Sequence, residues 1–303
     1  MTTCLVIRNP ASRNVAAPAR IEAALELARD AGWQVDLVAT ERGGHATELA
    51  RDAAARGVDV VVVHGGDGTI NEVVNGIAGR ATALGVLPAG TANVWAKEIG
   101  VAKDPVRAMR QMVVGRRERV DLGIANGRYF LLMAGLGLDA RIVARTGPTL
   151  KRYTGAAAYL LSGVGTALRT RPWTADLVID GAESRGVSMY WMLVSNTRSY
   201  GGLADIMYRA HANDGLLDVA VMHRGGPLRL VDAMARLLFK RHDRTRNIDY
   251  VAARVVEVPT PGIPVQIDGE VAGETPIRFE VAPLALAVIV PHDLETPLLG
   301  GTP

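Results

Sequence analysis

His64-Gly65-Gly66-Asp67-Gly68-Thr69-Ile70-Asn71-Glu72 is the run of residues in this sequence that most directly suggests chemistry. Three glycines let the backbone turn through positive φ and come close to a ligand. A helix that follows offers unpaired N–H groups and a favourable dipole to a phosphate. No Gly-Lys-Ser/Thr is present, so this is not a Walker loop, and Asn71 stands where the third glycine of a dinucleotide fingerprint belongs. Asp67 places a carboxylate at the tip of this anion cradle, where a divalent cation or a hydrogen-bond donor must offset it. The other reading is that Asp67 and Thr69 make turn and N-cap hydrogen bonds. Two more turns, Asn9-Pro10-Ala11-Ser12-Arg13 and Leu87-Pro88-Ala89-Gly90-Thr91-Ala92-Asn93, also follow strand-like runs. In an open parallel sheet such turns share the edge where ligands bind, although capping by itself accounts for Ser12 and for Thr91.

A second constellation is Gln266-Ile267-Asp268-Gly269-Glu270. In an extended segment Asp268 and Glu270 point to one side, and a carboxylate so presented can take the proton of an acceptor hydroxyl. The alternative is an Asp-Gly hairpin turn followed by a solvated Glu. In His211-Ala212-Asn213-Asp214-Gly215-Leu216, an Asp and backbone carbonyls at short spacing suit a hard cation; a tight turn between strands fits them too. The six histidines show no metal-ligand spacing, and His45 and His64 read as loop hydrogen-bonders. Neither Ser162 nor Ser195 sits in a Gly-x-Ser-x-Gly elbow, so a hydrolase triad is not supported.

The elements around these motifs change character along the chain. Residues 5–8, 35–38, 58–63 and 83–87 read as strands, the third of them a β-branched run suited to a parallel sheet buried on both faces. Ile21, Ala24, Leu25 and Ala28, and later Ile70, Val73, Val74 and Ile77, recur at helical spacing. This βαβα order predicts a doubly wound α/β domain over 1–120, with 289–303 as a candidate completing segment. Residues 121–288 hold close-spaced strands at 120–124, 129–133, 175–179, 187–194, 217–222, 251–258, 264–267, 277–281 and 285–290. They predict a mostly antiparallel β-sandwich, interrupted by helices around 150–168 and 228–241.

Composition narrows the function classes. Apolar residues make up 49% and charged residues 21%, a packed protein rather than a disordered one. Thirty-four Lys+Arg against 31 Asp+Glu leave a formal charge of +3, too weak an excess to argue for nucleic acid. Cys4 is the only cysteine, so no intrachain disulfide exists and a reducing, cytoplasmic compartment is expected. No apolar run approaches the roughly 18–20 residues that span a bilayer. The segment 154–170 lacks charge until Arg169 and is flanked by Lys151, Arg152 and Arg171. A basic helical face with Arg229, Arg236, Lys240 and Phe239 lies further on. Both suit either a peripheral contact with anionic lipid or a solvated cover for the core.

Taken in order, these motifs resemble the diacylglycerol kinase catalytic-domain family, which includes bacterial lipid kinases and sphingosine kinases and is related to NAD kinases. The carriers are Asn9-Pro10, Thr40 with Gly44-His45-Ala46, Gly65 to Glu72 with Asn75-Gly76, Leu87 to Asn93, Gly135 with Gly137 and Asp139-Ala140, Tyr200-Gly201-Gly202, Asp214 to Asp218, and Asp268-Gly269-Glu270. They extend over nearly the whole chain. The resemblance implies ATP bound in a cleft between an N-terminal α/β domain and a C-terminal β-sandwich, with the γ-phosphate passed to a lipid hydroxyl. Asn9, Pro10, Ala11, Ser12, Arg13, Thr40, Gly65, Gly66, Asp67, Gly68, Thr69, Ile70, Asn71, Glu72 and Thr91 would then contact nucleotide. Asp67 would serve the phosphate and Mg²⁺ end, and Glu270, with Asp268 second, would be the base. Arg13 departs from the glycine that many members carry there. A structural magnesium would take the Asp214 carboxylate and the backbone oxygens of His211 and Leu216. The partners so implied are a lipid substrate at the inner membrane face and no nucleic acid, with room left for a homodimer. An NAD kinase and a non-catalytic nucleotide or lipid binder stand as the rivals.

Overall fold

The computed structural model describes residues 1–144, 171–202, 205–223 and 248–300. The helices expected around 150–168 and 228–241, and the basic and apolar surfaces read on them, lie outside the described residues. The chain divides into two compact units, Met1–Leu122 with Ala212–Asp214 and Ala282–Pro303, and Gly123–His211 with Gly215–Val281.

In the first unit β1 (Thr2–Arg8), β2 (Trp33–Ala39), β3 (Val60–Gly65) and β4 (Ala83–Pro88) pair in parallel in the order β4-β3-β1-β2. Every residue of β3 is buried, as a β-branched strand covered on both faces should be. Helices α1 (Pro18–Asp30), α2 (His45–Ala55), α3 (Asp67–Ile77), α4 (Val94–Glu98) and α5 (Pro105–Val113) connect or follow the strands. α1 packs on α5 and α2 on α3. All eight apolar positions read at helical spacing, Ile21, Ala24, Leu25 and Ala28 in α1 and Ile70, Val73, Val74 and Ile77 in α3, are buried. The N-terminus of α5 carries Pro105 in its first turn and Asp104 as N-cap, whose carboxylate accepts from Arg107 N–H at 3.0 Å. Thr3 and Asp59 bond reciprocally, N–H to side chain in both directions at 2.8 and 3.0 Å, which sets the entry of β1 beside that of β3.

Among the described residues the second unit is antiparallel apart from a helix at 138–144. The strands β5 (Arg116–Ala125), β6 (Arg128–Phe130), β7 (Met133–Gly137), β8 (Trp173–Ile179), β9 (Ala182–Ser195), β10 (Leu217–His223), β11 (Ile248–Ala253), β12 (Val255–Val258), β13 (Pro264–Ile267), β14 (Glu270–Glu274) and β15 (Ile277–Val290) complete the count among the described residues. Here β14-β13-β7-β9-β8-β12 run side by side, β10 lies between β9 and β11, and the first half of β15 pairs with β12. The second half of β15 belongs to the first unit, where Ala287 and Val288 pair in parallel with Ala83 and Leu84 of β4.

The structure corrects several expected boundaries. The strand expected over 129–133 is two, because the N–H groups of Leu131 and Leu132 leave the ladder for the Asp268 carboxylate. The strand expected over 251–258 breaks at Arg254, whose N–H, with that of Val255, goes to Asp180. The two strands expected at 277–281 and 285–290 form one. Residues 270–274, unassigned from sequence, form β14.

Phe130 and Phe279, both fully buried, meet edge to face with ring centroids 6.3 Å apart at the centre of the second unit's core. Phe279→Ala should lower the stability of this unit by about 3–5 kcal/mol. The check is a fall in the urea midpoint with the slope of the transition unchanged.

Candidate functional site

Three turns leave the carboxyl ends of β1, β3 and β4, and hydrogen bonds lock them into one rim. Asn9 donates its N–H to His64 O at 2.9 Å and its Nδ2 to Thr69 Oγ1 at 2.8 Å, while its Oδ1 accepts from Ala11 N–H. Asn14 reaches the third turn, giving its N–H to Ala89 O and its Nδ2 to Gly90 O at 2.7 Å. Ala89 N–H in turn donates to Gly65 O. The second and third turns touch at backbone level. A Cβ on Gly90 would lie 2.6 Å from Gly66 Cα, and one on Gly66 would lie 3.1 Å from Gly90 Cα, so these two glycines are needed for the turns to meet.

Asp67 closes this assembly. Its Oδ1 accepts the N–H of Val94 at 2.8 Å, and the N–H groups of Trp95 and Asn93 also face the carboxylate, so it caps the start of α4 from another strand's turn. Burial pushes the carboxyl above its ordinary range, and these N–H donors pull it back. Asn93 takes the left-handed conformation, φ 48°, and binds Gly90 at both N–H and C=O. At the start of α3 no side chain caps the helix, and Gly66, Asp67 and Gly68 are half-buried. Its first-turn N–H groups therefore form a donor set at the carboxyl edge of the sheet.

Of the residues expected to meet a nucleotide, Asn9, Gly65, Gly66, Asp67, Gly68 and Thr69 are brought together here. Pro10, Ala11, Arg13 and Thr91 are exposed and Ser12 half-buried on the adjoining turns. Thr40 follows β2 at the same edge, its N–H on Arg8 O. Ile70 and Asn71 are buried inside α3. Glu72 turns away, its Oε2 accepting from Ala46 N–H at 3.2 Å and its backbone oxygen from Thr47 Oγ1, so it binds α2 to α3. Asn14 was missed by sequence reasoning, although an Asn near a turn is the usual donor to a neighbouring carbonyl.

His45 Nδ1 accepts from Glu41 N–H, as a loop hydrogen-bonder should. His64 does not fit that expectation. It sits opposite Arg8 in the β1–β3 pairing, 1% exposed, and its Nδ1 and Arg8 Nε are buried with no partner among the described residues. Burial first, then the Arg8 charge, holds the imidazole down to about 4.

In the second unit the segment around Asp268 is a turn and not extended, with φ 47° at Asp268 and 82° at Gly269 between β13 and β14. The expectation that Asp268 and Glu270 share one side of a strand is therefore corrected. Asp268 takes the N–H groups of Leu131, Leu132 and Met133 at 2.9–3.0 Å on its two oxygens. Glu270, 54% exposed in its side chain, pairs through Oε2 with Arg128 at 2.8 Å, a partner that no sequence pattern announced. His211, Asp214 and Leu216 lie in the loop before β10, all half-buried. Among the described residues no three His, Cys, Asp or Glu side chains are grouped to hold a metal.

Residues 3–125 match the family described as diacylglycerol kinase catalytic domain, and residues 133–290 match the YegS C-terminal NAD kinase beta sandwich-like domain. A diacylglycerol kinase of Bacillus subtilis is 30% identical over 97% of this chain and 98% of its own. One of Mycobacterium tuberculosis is 31% identical over 94% of each. The crystal structure of a Bacillus anthracis diacylglycerol kinase superposes with a TM-score of 0.78 at 25% identity, covering 95% of this chain and 96% of that one. An NAD kinase from Archaeoglobus fulgidus in complex with ATP shares the fold, with a TM-score of 0.52 at 15% identity, over 94% of this chain and 92% of that one.

The His64 environment has a measurable consequence. Between pH 6.5 and about 4 the unfolded chain takes up a proton that the folded imidazole refuses, so stability falls as pH falls through that window. The contribution is at most on the order of 3 kcal/mol. Denaturant unfolding at pH 7 and pH 4.5 should show wild type losing more stability than His64→Leu.

Proposed function

The chain belongs to the diacylglycerol kinase family, phosphotransferases with an alcohol group as acceptor, and we propose that it transfers the γ-phosphate of ATP to the hydroxyl of a diacylglycerol-like lipid. The observation that carries this reading is the interlocked rim of three turns with the uncapped start of α3 at its centre. Backbone N–H groups fixed in that way suit phosphate oxygens, because phosphoryl transfer asks the protein mainly for positioning and charge neutralisation. The Thr69 hydroxyl accepts from Asn9 and so keeps its own proton to donate.

The donor set fits the nucleotide, and a Mg²⁺ ion bound with it would draw its ligands from phosphate and water, with the Asp67 carboxylate, held by the N–H groups of residues 93–95, beside it as negative charge. That ion would neutralise charge on the phosphates. On the acceptor side Glu270 is the base. Arg128 holds Oε2, leaving Oε1 to take the hydroxyl proton as the oxygen bonds to phosphorus and ADP leaves. Asp268 serves the fold, since three N–H groups occupy its oxygens. The same reading has the enzyme in the cytoplasm, meeting its lipid at the inner membrane face.

The test is transfer of labelled γ-phosphate from ATP to a total lipid extract in mixed micelles. Wild type should label a lipid. Asp67→Asn, which keeps an oxygen for Val94 N–H, removes the charge and sets an NH₂ among the other N–H groups, should lower the thermal midpoint and, assayed well below it, lower kcat at least about 10²-fold. Glu270→Gln should lower it by roughly 10²–10⁴-fold. Label entering NAD and no lipid, or full activity in Glu270→Gln, would overturn the acceptor or the base respectively.

A further inference from the structure

Segments far apart in the second unit converge on one buried carboxylate. Asp139, 4% exposed in the helix after β7, accepts the Tyr200 hydroxyl on Oδ1 and Gln266 Nε2 on Oδ2, the latter at 2.7 Å. Gln266, 2% exposed on β13, accepts the N–H of Gly269 on Oε1 at 2.7 Å. Gly135 on β7 makes room for this, because a Cβ there would overlap Asp139 Oδ2. Gly135, Asp139 and Tyr200 are motif residues that the proposed chemistry leaves unused.

The polarity of this chain of bonds is forced. Gly269 N–H can only donate, so the Gln266 amide must present its oxygen to the turn. Its NH₂ then faces position 139, where only an acceptor fits. A carboxylate satisfies that demand and still receives the Tyr200 hydroxyl. In a buried site the wrong polarity leaves donor against donor. Gly269 immediately precedes Glu270, and on the other side of the same turn Asp268 is pinned to residues 131–133.

We propose that Asp139, Gln266 and Tyr200 are positioning residues that hold the Gly269 amide, and through it the Glu270 side chain, in the orientation that takes the acceptor's proton. This rests on the reading of Glu270 as the base. None of the three needs to touch substrate to act so; Arg128 fixes Oε2 from the solvent side, and the Gly269 amide fixes the backbone that carries Glu270 from the interior.

A polarity swap tests it. Asp139→Asn alone either sets its NH₂ against the Gln266 NH₂ or turns it to the Tyr200 oxygen and takes away the acceptor of the Tyr200 proton, and Gln266→Glu alone sets two buried carboxylates face to face, a repulsion relieved only when one of them takes up a proton at lower pH. Each should lower kcat by roughly 10²-fold, with KM for ATP unchanged, and speed amide hydrogen exchange at Gly269. In the double variant the new amide at 139 donates to the new carboxylate at 266, whose second oxygen still accepts from Gly269. Its kcat should return to within about fivefold of wild type, and the Gly269 amide should be protected again. A double variant no faster than the slower single variant, with Gly269 still exchanging quickly, would overturn the proposal. Where a single variant fails to fold, Tyr200→Phe removes one bond and should lower kcat about tenfold at constant KM for ATP; unchanged kcat and exchange would count against the relay. Glu270→Gln, assayed in parallel, separates the two ideas. Full activity there defeats the base assignment, and Gly269 exchange in the double variant then decides whether the clamp itself stands.

Discussion

A carboxylate partly withdrawn from water must find donors, and at Asp67 it finds them on a different strand's turn. The N–H groups of residues 93–95 face it. That bond ties the turn after β3 to the turn after β4 at the point where Gly66 and Gly90 let the two backbones touch. Asn9 and Asn14 then tie in the turn after β1. With the turns braced against each other by these side chains, the first turn of α3 is left without a side-chain cap. The phosphate binding proposed for the rim depends on that division: side chains hold the turns, and the helix start is left uncapped.

The same device recurs at two strand breaks and once within β15. Asp268 serves residues 131–133, Asp180 serves Arg254 and Val255, and Asp121, itself fully buried, takes the N–H of Leu284 at 2.6 Å. Backbone N–H groups that leave a ladder must be satisfied elsewhere, and here a short carboxylate does it each time. A carboxylate in this chain is therefore a backbone cap unless its oxygens remain available. That criterion separates Asp268, whose oxygens take three N–H groups, from Glu270, which is exposed and, among the described residues, bound by Arg128 on one oxygen.

The turn that joins these two residues also links the proposed chemistry to the interior of the second unit. On one side Asp268 fastens it to the break between β6 and β7; on the other Gln266 carries the influence of Asp139 and Tyr200 to Gly269. An exposed Glu thus stands on a foundation whose polar atoms are buried and oriented. The pairing with Arg128, on the solvent side, contributes little to that orientation by itself.

Local repetition made much of the architecture legible in the amino-acid sequence. The apolar stripes of α1 and α3 and the unbroken burial of β3 follow from periodicities repeated over several residues, each adding to the same preference. The Gly-rich run before α3 and the turns after β1 and β4 were legible for the same reason, through the strand before each and the helix or cap after it. The partners of single polar groups were not legible. Nothing near Asp67 in sequence announces residues 93–95, nothing near Gln266 announces Asp139, and the Asp268-Gly269 turn becomes distinguishable from an extended strand only when residues 131–133 arrive to bind it. The second half of β15 likewise joins β4 because Ala287 and Val288 are brought beside Ala83 and Leu84. A hydrophobic pattern needs only some core to satisfy it, whereas a hydrogen bond needs one particular atom within about 3 Å, and which atom that is depends on how distant segments pack.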